Sequence, residues 1–334
     1  MTNRILYLDL VTEELFSLLQ SQVPEGFELV RITEDDSAHV RSRAKGADYF
    51  LVGWFGASAE AIDAALPRLQ LIQKLGIGLD RVDVEHARSN GVAVALTAGA
   101  NAPQVAEHTV MLMLAVLRML PQGMASLAEG RWAKAELRVQ MSELYDKRVG
   151  LIGFGNIGRR VAQRVAAFDA EVVYHDPYAS ELPSDQGGGP QPVDLETLLD
   201  TSDVVSLHLP ATPETAGLID RSALARMKPG AVLVNTARGK LIDETALVDA
   251  LDSGALRGVG LDVFANEPPP SNHALFQHPR AVVTPHVGGS SRENVPRIAR
   301  RAFENIVRFS RGESMPAADL VATPQHAHET TVEA

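Results

Sequence analysis

The chain has 334 residues, 45% hydrophobic and 5% aromatic, a size that predicts two domains of ordinary α/β composition. A net charge of −11 argues against nucleic acid as a partner, since a polyanion rewards basic surfaces. Cysteine is absent, which excludes disulfides, thiolate metal sites and cysteine nucleophiles. The N-terminus MTNRILYLDL lacks the long apolar core and small-residue cleavage site of a signal peptide, so a cytoplasmic protein without a membrane segment is expected.

Short apolar runs alternate with helical patterns from the start. Strands are predicted at residues 5–8, 28–32, 49–52, 71–74 and 92–95, with helices at 12–20, 59–65 and 84–89 between them. Residues 102–120, rich in Val, Met and Leu, predict one long apolar helix buried between domains or subunits. A second series opens at Lys147, with strands at 149–153, 171–175, 204–207, 231–235, 258–262 and 281–284. Alternation of this kind implies parallel sheets with helices on both faces. A helix at 292–308 follows, placed to return to the first unit. Residues 184–192 (SDQGGGPQP) read as a flexible surface loop, and residues 313–334 as a polar, aperiodic, disordered tail. His326 and His328 in that tail read as solvated side chains, and no metal site is expected.

The second series begins with VGLIGFGNIG. Gly153, Gly155 and Gly158 form G-x-G-x-x-G after a strand and before a helix. Gly153 permits a tight turn, Gly155 lets a pyrophosphate approach the backbone, and Gly158 allows close helix–strand packing. The helix N-terminus offers N–H groups and a positive dipole end to phosphates. Asp176 follows about 20 residues on, where a carboxylate accepts hydrogen bonds from an adenosine ribose and repels a 2′-phosphate, favouring NAD over NADP. Its plainer reading is a turn acid before Pro177.

Three later segments carry reactive side chains just past predicted strands, where open α/β sheets bind ligands. In NTARG, Arg238 is placed to grip a carboxylate with two parallel hydrogen bonds, a surface salt bridge being the alternative. GLDVFANEP holds Asp262 and Glu267. TPHVGG holds His286, and a histidine suits acid/base work, although a structural histidine fits the same position. A carboxylate such as Glu267 beside it stabilises imidazolium. Together these residues suggest an anion clamp and a proton donor beside a nicotinamide.

GFGNIG with Asp176, NTARG, GLDVFANEP, TPHVGG, KLGIGLDRVD and GANAPQVAEHT occur in the order found in the D-isomer-specific 2-hydroxyacid dehydrogenases, which the chain resembles over residues 5–309. The resemblance implies two similar doubly wound parallel-sheet domains with the active site in the cleft between them. The substrate-binding domain would comprise residues 1–98 and 288–312, and the NAD-binding Rossmann domain residues 99–287. It further implies that Arg238 binds and polarises the substrate, that His286 is the acid/base and Glu267 its partner, and that the chain is a homodimer built around the helix at 102–120. Asp262 and Thr109 would lie near the nicotinamide, Asn156 and Ile157 over the pyrophosphate, and Gly288 on the cofactor side of the turn after His286. Gly76, Ile77 and Gly78 would bind the substrate carboxylate through backbone N–H groups. The plain alternatives are a chain turn for Gly76 and Gly78, a helix residue for Thr109, and capping or dipole residues for Glu107 and His108.

The loop after the third strand, Gly53-Trp54-Phe55-Gly56, carries two aromatics and no cation, so Trp54 and Phe55 are expected to favour unphosphorylated 2-keto acids. Their alternative is a place in the core. Some relatives with the same fold and triad act as NAD-sensing co-repressor scaffolds, which keeps a binding protein open as the second reading.

Overall fold

The computed structural model describes residues 2–179 and 189–323, which form two compact α/β units. The first comprises residues up to 101 together with those from 291 onward; the second comprises residues 102–290.

In the first unit, β1 (Asn3–Leu8), β2 (Phe27–Arg31), β3 (Tyr49–Val52), β4 (Leu71–Lys74) and β5 (Ala93–Ala95) pair in parallel in the order β5-β4-β3-β1-β2. β3 is buried at every position, as its unbroken apolar run requires of a strand covered on both faces. Side chains on the helices between the strands set their starts: Thr12, Asp36, Ser58 and Asp83 each accept a hydrogen bond from an N–H of the first turn. The helix Asn294–Ser310 covers one face of this sheet. Ala299, Ala302, Phe303 and Ile306 recur at helical spacing and pack with Ile5, Tyr7, Tyr49, Leu51 and Leu71.

The stretch expected to be disordered from Glu313 is ordered as far as Thr323. Leu320–Ala322 adds an antiparallel sixth strand beside β5. The anchor is Asp319, fully buried, which accepts from Arg301 (2.7 and 3.0 Å), Asn305 (3.0 Å) and the amide of Ala98 (2.9 Å). A single carboxylate with complete partners holds a segment that has little apolar surface of its own. His326 and His328 lie outside the described residues.

In the second unit, β6 (Arg148–Ile152), β7 (Glu171–His175), β8 (Gln191–Pro192), β9 (Val204–Leu207), β10 (Ala231–Asn235), β11 (Leu256–Leu261) and β12 (Ala281–Val283) form one parallel sheet in the order β12-β11-β10-β9-β6-β7-β8. The loop expected at 184–192 lies partly outside the described residues, and its end is β8. The order reverses between β9 and β6, the switch point at which such sheets bind ligands.

The long helix expected at 102–120 is two helices. Ala102–Leu117 ends where Met119 adopts the left-handed conformation (φ 51°, ψ 42°), and Leu120–Ala128 leaves at 61° to it. Pro121, at the start of the second helix, has no N–H to continue the first. Among the described residues no single helix is long and apolar enough to cross a membrane.

Candidate active site

The dinucleotide turn sits at the carboxyl end of β6. A Cβ on Gly153 (φ 93°) would lie 2.5 Å from the carbonyl of His208, and one on Gly158 would lie 2.3 Å from the carbonyl of Gly153. At Gly155 the space is open. Gly153 therefore turns where a side chain would clash, Gly158 packs directly on that turn, and the backbone at Gly155 is left accessible. The helix that follows, Asn156–Ala166, starts without a side-chain cap, whereas Asp194, Asp220 and Asp243 cap neighbouring helices of the same unit. Its first N–H groups therefore face a position that an anion can take. Asn156 is exposed and Ile157 half-buried there.

Asp176, just past β7, turns back toward this turn. Its Oδ2 accepts from the amide of Phe154 (2.7 Å) and its Oδ1 from that of Tyr178 (2.9 Å). Two amides thus orient the carboxylate, which retains lone pairs for further donors. Beneath the turn lies His208, at the end of β9 and hydrogen-bonded to Ser206 (3.0 Å). Burial pushes its pKa down to about 3, so it is neutral.

Arg238 is presented by a turn that Asn235 builds. The fully buried Asn235 amide accepts from the N–H of Ala237 (2.9 Å) and donates to the carbonyl of Arg238 (2.8 Å). Gly239 packs so tightly on the backbone of Phe264 that a Cβ would lie 1.8 Å from its carbonyl carbon. This contact joins the Arg238 turn to the loop after β11, which carries Glu267. Glu267 Oε1 accepts from the amide of Phe264 (2.9 Å), and its Oε2 lies 2.9 Å from His286 Nδ1. Burial works to raise the Glu267 pKa. Hydrogen bonds from His286 and Phe264, and the charges of His286 and Arg238, outweigh it and hold the carboxyl below its ordinary range. Arg238, Glu267 and His286 are therefore electrostatically joined, as expected from their places after successive strands.

His286 itself adopts φ 53°, which is strained for a side-chain-bearing residue. Asp262, almost fully buried, explains how the turn is held. Its Oδ1 accepts from Thr284 Oγ1 (2.6 Å) and the amide of Val287 (2.9 Å), and its Oδ2 accepts from the amide of Gly288 (2.7 Å). Asp262, expected on the nicotinamide side, thus builds the turn that carries His286. Gly288 packs against that carboxylate and the His108 ring.

Three further expectations change. Thr109 is fully buried; its hydroxyl donates to the carbonyl of Val105 (2.7 Å) and meets that of Thr236 (2.8 Å), so it supports the strand end before Arg238. In the first unit, the amide of Gly76 donates to Thr97 Oγ1 (2.7 Å), which leaves Ile77 and Gly78 as the candidate carboxylate-binding amides of that turn. The loop after β3 is not free of cations. The Arg81 guanidinium lies 4.0 Å from the Trp54 ring centroid, and Lys74 donates to the carbonyl of Gly53. Phe55 packs on the core while Trp54 is exposed. Arg81 lies 27 positions beyond Trp54 in sequence, so the loop's own residues gave no signal of it. The charge argument against a phosphorylated substrate therefore fails.

One parallel sheet thus carries a glycine turn of the dinucleotide-binding kind and, past its later strands, the joined side chains Arg238, Glu267 and His286. Residues 110–288 match the family described as D-isomer specific 2-hydroxyacid dehydrogenase, NAD binding domain. The chain is 44% identical over 265 residues to the D-3-phosphoglycerate dehydrogenase of Mycobacterium bovis, covering 78% of this chain and 49% of the relative. It is 42% identical over 255 residues to the hydroxypyruvate reductase of Thermotoga maritima, covering 75% and 80%. The solved structure of the TT0316 protein from Thermus thermophilus superimposes with a TM-score of 0.84 at 37% identity, covering 96% of this chain and all of that one. The chain spans about half the length of the D-3-phosphoglycerate dehydrogenase it matches. The chain belongs to the D-isomer specific 2-hydroxyacid dehydrogenase family, and its second unit carries that family's NAD-binding domain.

Proposed function

We propose that the chain is an NAD-dependent oxidoreductase that interconverts a small 2-keto acid and the corresponding D-2-hydroxy acid. The observation that carries this reading is the Glu267–His286 pair, 2.9 Å apart, in electrostatic reach of Arg238 on the sheet that holds the dinucleotide turn. The residues present suit the cofactor: an open approach at Gly155, an uncapped helix start at Asn156 and Ile157, and an oriented carboxylate at Asp176. When bound, the nicotinamide supplies the hydride that the carbonyl carbon receives. Arg238 grips the substrate carboxylate and polarises the carbonyl. Glu267 engages Nδ1 of His286, so the proton given to the carbonyl oxygen leaves from Nε2. In the oxidative direction the same nitrogen takes the hydroxyl proton back.

The test is turnover of NADH, and separately of NADPH, against a panel that includes glyoxylate, hydroxypyruvate, pyruvate and 3-phosphohydroxypyruvate. Steady oxidation of NADH in preference to NADPH supports the reading. Tight NADH binding without turnover of any acid supports a dinucleotide-sensing protein instead.

We further propose a homodimer through the second unit. Leu120, Met124, Leu127, Trp132 and Val139 expose apolar surface along the helix Leu120–Ala128 and the segment after it, with Trp132 80% and Val139 82% exposed.

A further inference from the structure

On the helix Ala102–Leu117, His108, Leu112 and Val116 recur every fourth residue and share one face. On β11 and its continuation, Gly258, Gly260 and Asp262 recur every second residue and share one face. The two faces meet. A Cβ on Gly258 would lie 2.8 Å from Val116 Cγ1, and one on Gly260 would lie 2.9 Å from Leu112 Cβ. The bare glycines let the helix settle so close that the His108 imidazole reaches the strand end, 3.5 Å from Asp262 Oδ1.

There His108 Nε2 lies 2.8 Å from Thr284 Oγ1, which lies 2.6 Å from Asp262 Oδ1. A hydroxyl has one hydrogen to give. At that distance it goes to the carboxylate, so Thr284 accepts from Nε2–H of His108. The ring also floors the turn, with its carbons 3.3 and 3.4 Å from where a Cβ at Gly288 would stand. Residues 284–288 are thus tied at Thr284, Val287 and Gly288 to one carboxylate, and the imidazole backs both. His286 sits inside this bracket at φ 53°. Such a conformation persists only where its surroundings over-determine it.

We propose that His108 is a positioning residue for His286, acting through Thr284 and Asp262 to fix the strained turn that aims the acid/base. Its role in turnover rests on the function proposed above; its role in ordering the turn does not. His108→Phe keeps a ring and removes the donor; Thr284→Val removes the relay hydroxyl and Thr284→Ser restores it.

Two readouts test this. In the first, kcat falls on the order of 10- to 100-fold in His108→Phe and Thr284→Val, the worth of a hydrogen bond in a charged network, while KM and NADH affinity stay near wild type and Thr284→Ser recovers. In the second, hydrogen exchange at the amides of Val287 and Gly288 speeds up in the same two variants. Exchange needs no substrate, so a wild type that turns over no 2-keto acid defeats the proposed function while exchange still decides the role of His108. If His108→Phe does not fold, the Thr284 pair decides in its place. Unchanged exchange, or unchanged kcat in a protein that turns over, overturns the proposal.

Discussion

At the scale of single residues, the candidate site depends on side chains that lie behind Arg238 and His286. Asn235 shapes the turn that presents Arg238, and Asp262 ties down the turn that presents His286. That Arg238, Glu267 and His286 come together was legible in the sequence because each follows an apolar run read as a strand of one sheet. Asn235 was legible in principle, since asparagine two residues before a turn amide is a common local bond. His208 was not, because nothing local marks a half-buried histidine as packed beneath a glycine turn that precedes it by more than 50 residues. Arg238→Lys is expected to raise KM for 2-keto acids sharply and to lower kcat, because an ammonium cannot reproduce a planar two-bond grip. Steady-state kinetics with KM unchanged would remove Arg238 from that role. His208, with its pKa lowered from 6.5 to about 3, binds fewer protons folded than unfolded between those values. Its stabilisation is present above the ordinary pKa and is lost as pH falls toward the folded value, by up to about 1.4 kcal/mol per pH unit. Denaturant midpoints for His208→Asn should depend less steeply on pH across this acid window than those of wild type, and equal slopes would contradict this.

At the scale of elements, the strands expected from the sequence were read within a residue or two because their apolar runs are continuous and bounded by polar turns. The helix Ser37–Ala44 was missed because its sequence, SAHVRSRA, has no apolar stripe; a cap at Asp36 and two buried residues define it. The break at Met119 was missed because apolar content continues across it, and only Pro121 hinted at the stop. The strand Leu320–Ala322 was missed because three residues carry no period, and its place is set by the distant Arg301 and Asn305. Gly258 and Gly260, which look like weak points in β11, are where the helix Ala102–Leu117 rests. Gly260→Val should therefore destabilise the second unit by about 1–3 kcal/mol through overpacking against Leu112. Urea unfolding followed by circular dichroism checks this, and a variant as stable as wild type would mean that the helix can lift without cost.

At the scale of the whole molecule, the sequence motifs and the similarity to known dehydrogenases agree on family and cofactor domain. Substrate identity was less legible, because Arg81 and Trp54 meet only through the fold. The exposed apolar side chains at Leu120, Met124, Leu127 and Trp132 predict a dimer in solution. Light scattering after gel filtration should give twice the chain mass, and Met124→Glu with Leu127→Glu should give monomer; a monomeric wild type would sever this face from assembly. The central claim is that His286, held by Glu267, transfers the proton in a hydride-transfer reaction. Its most direct test is the turnover of His286→Ala with NADH and the best 2-keto acid, measured with NADH binding from about pH 6 to 8. A loss of ~10²–10⁴ in kcat with NADH affinity kept is expected; near-normal turnover across that range would contradict the role of His286.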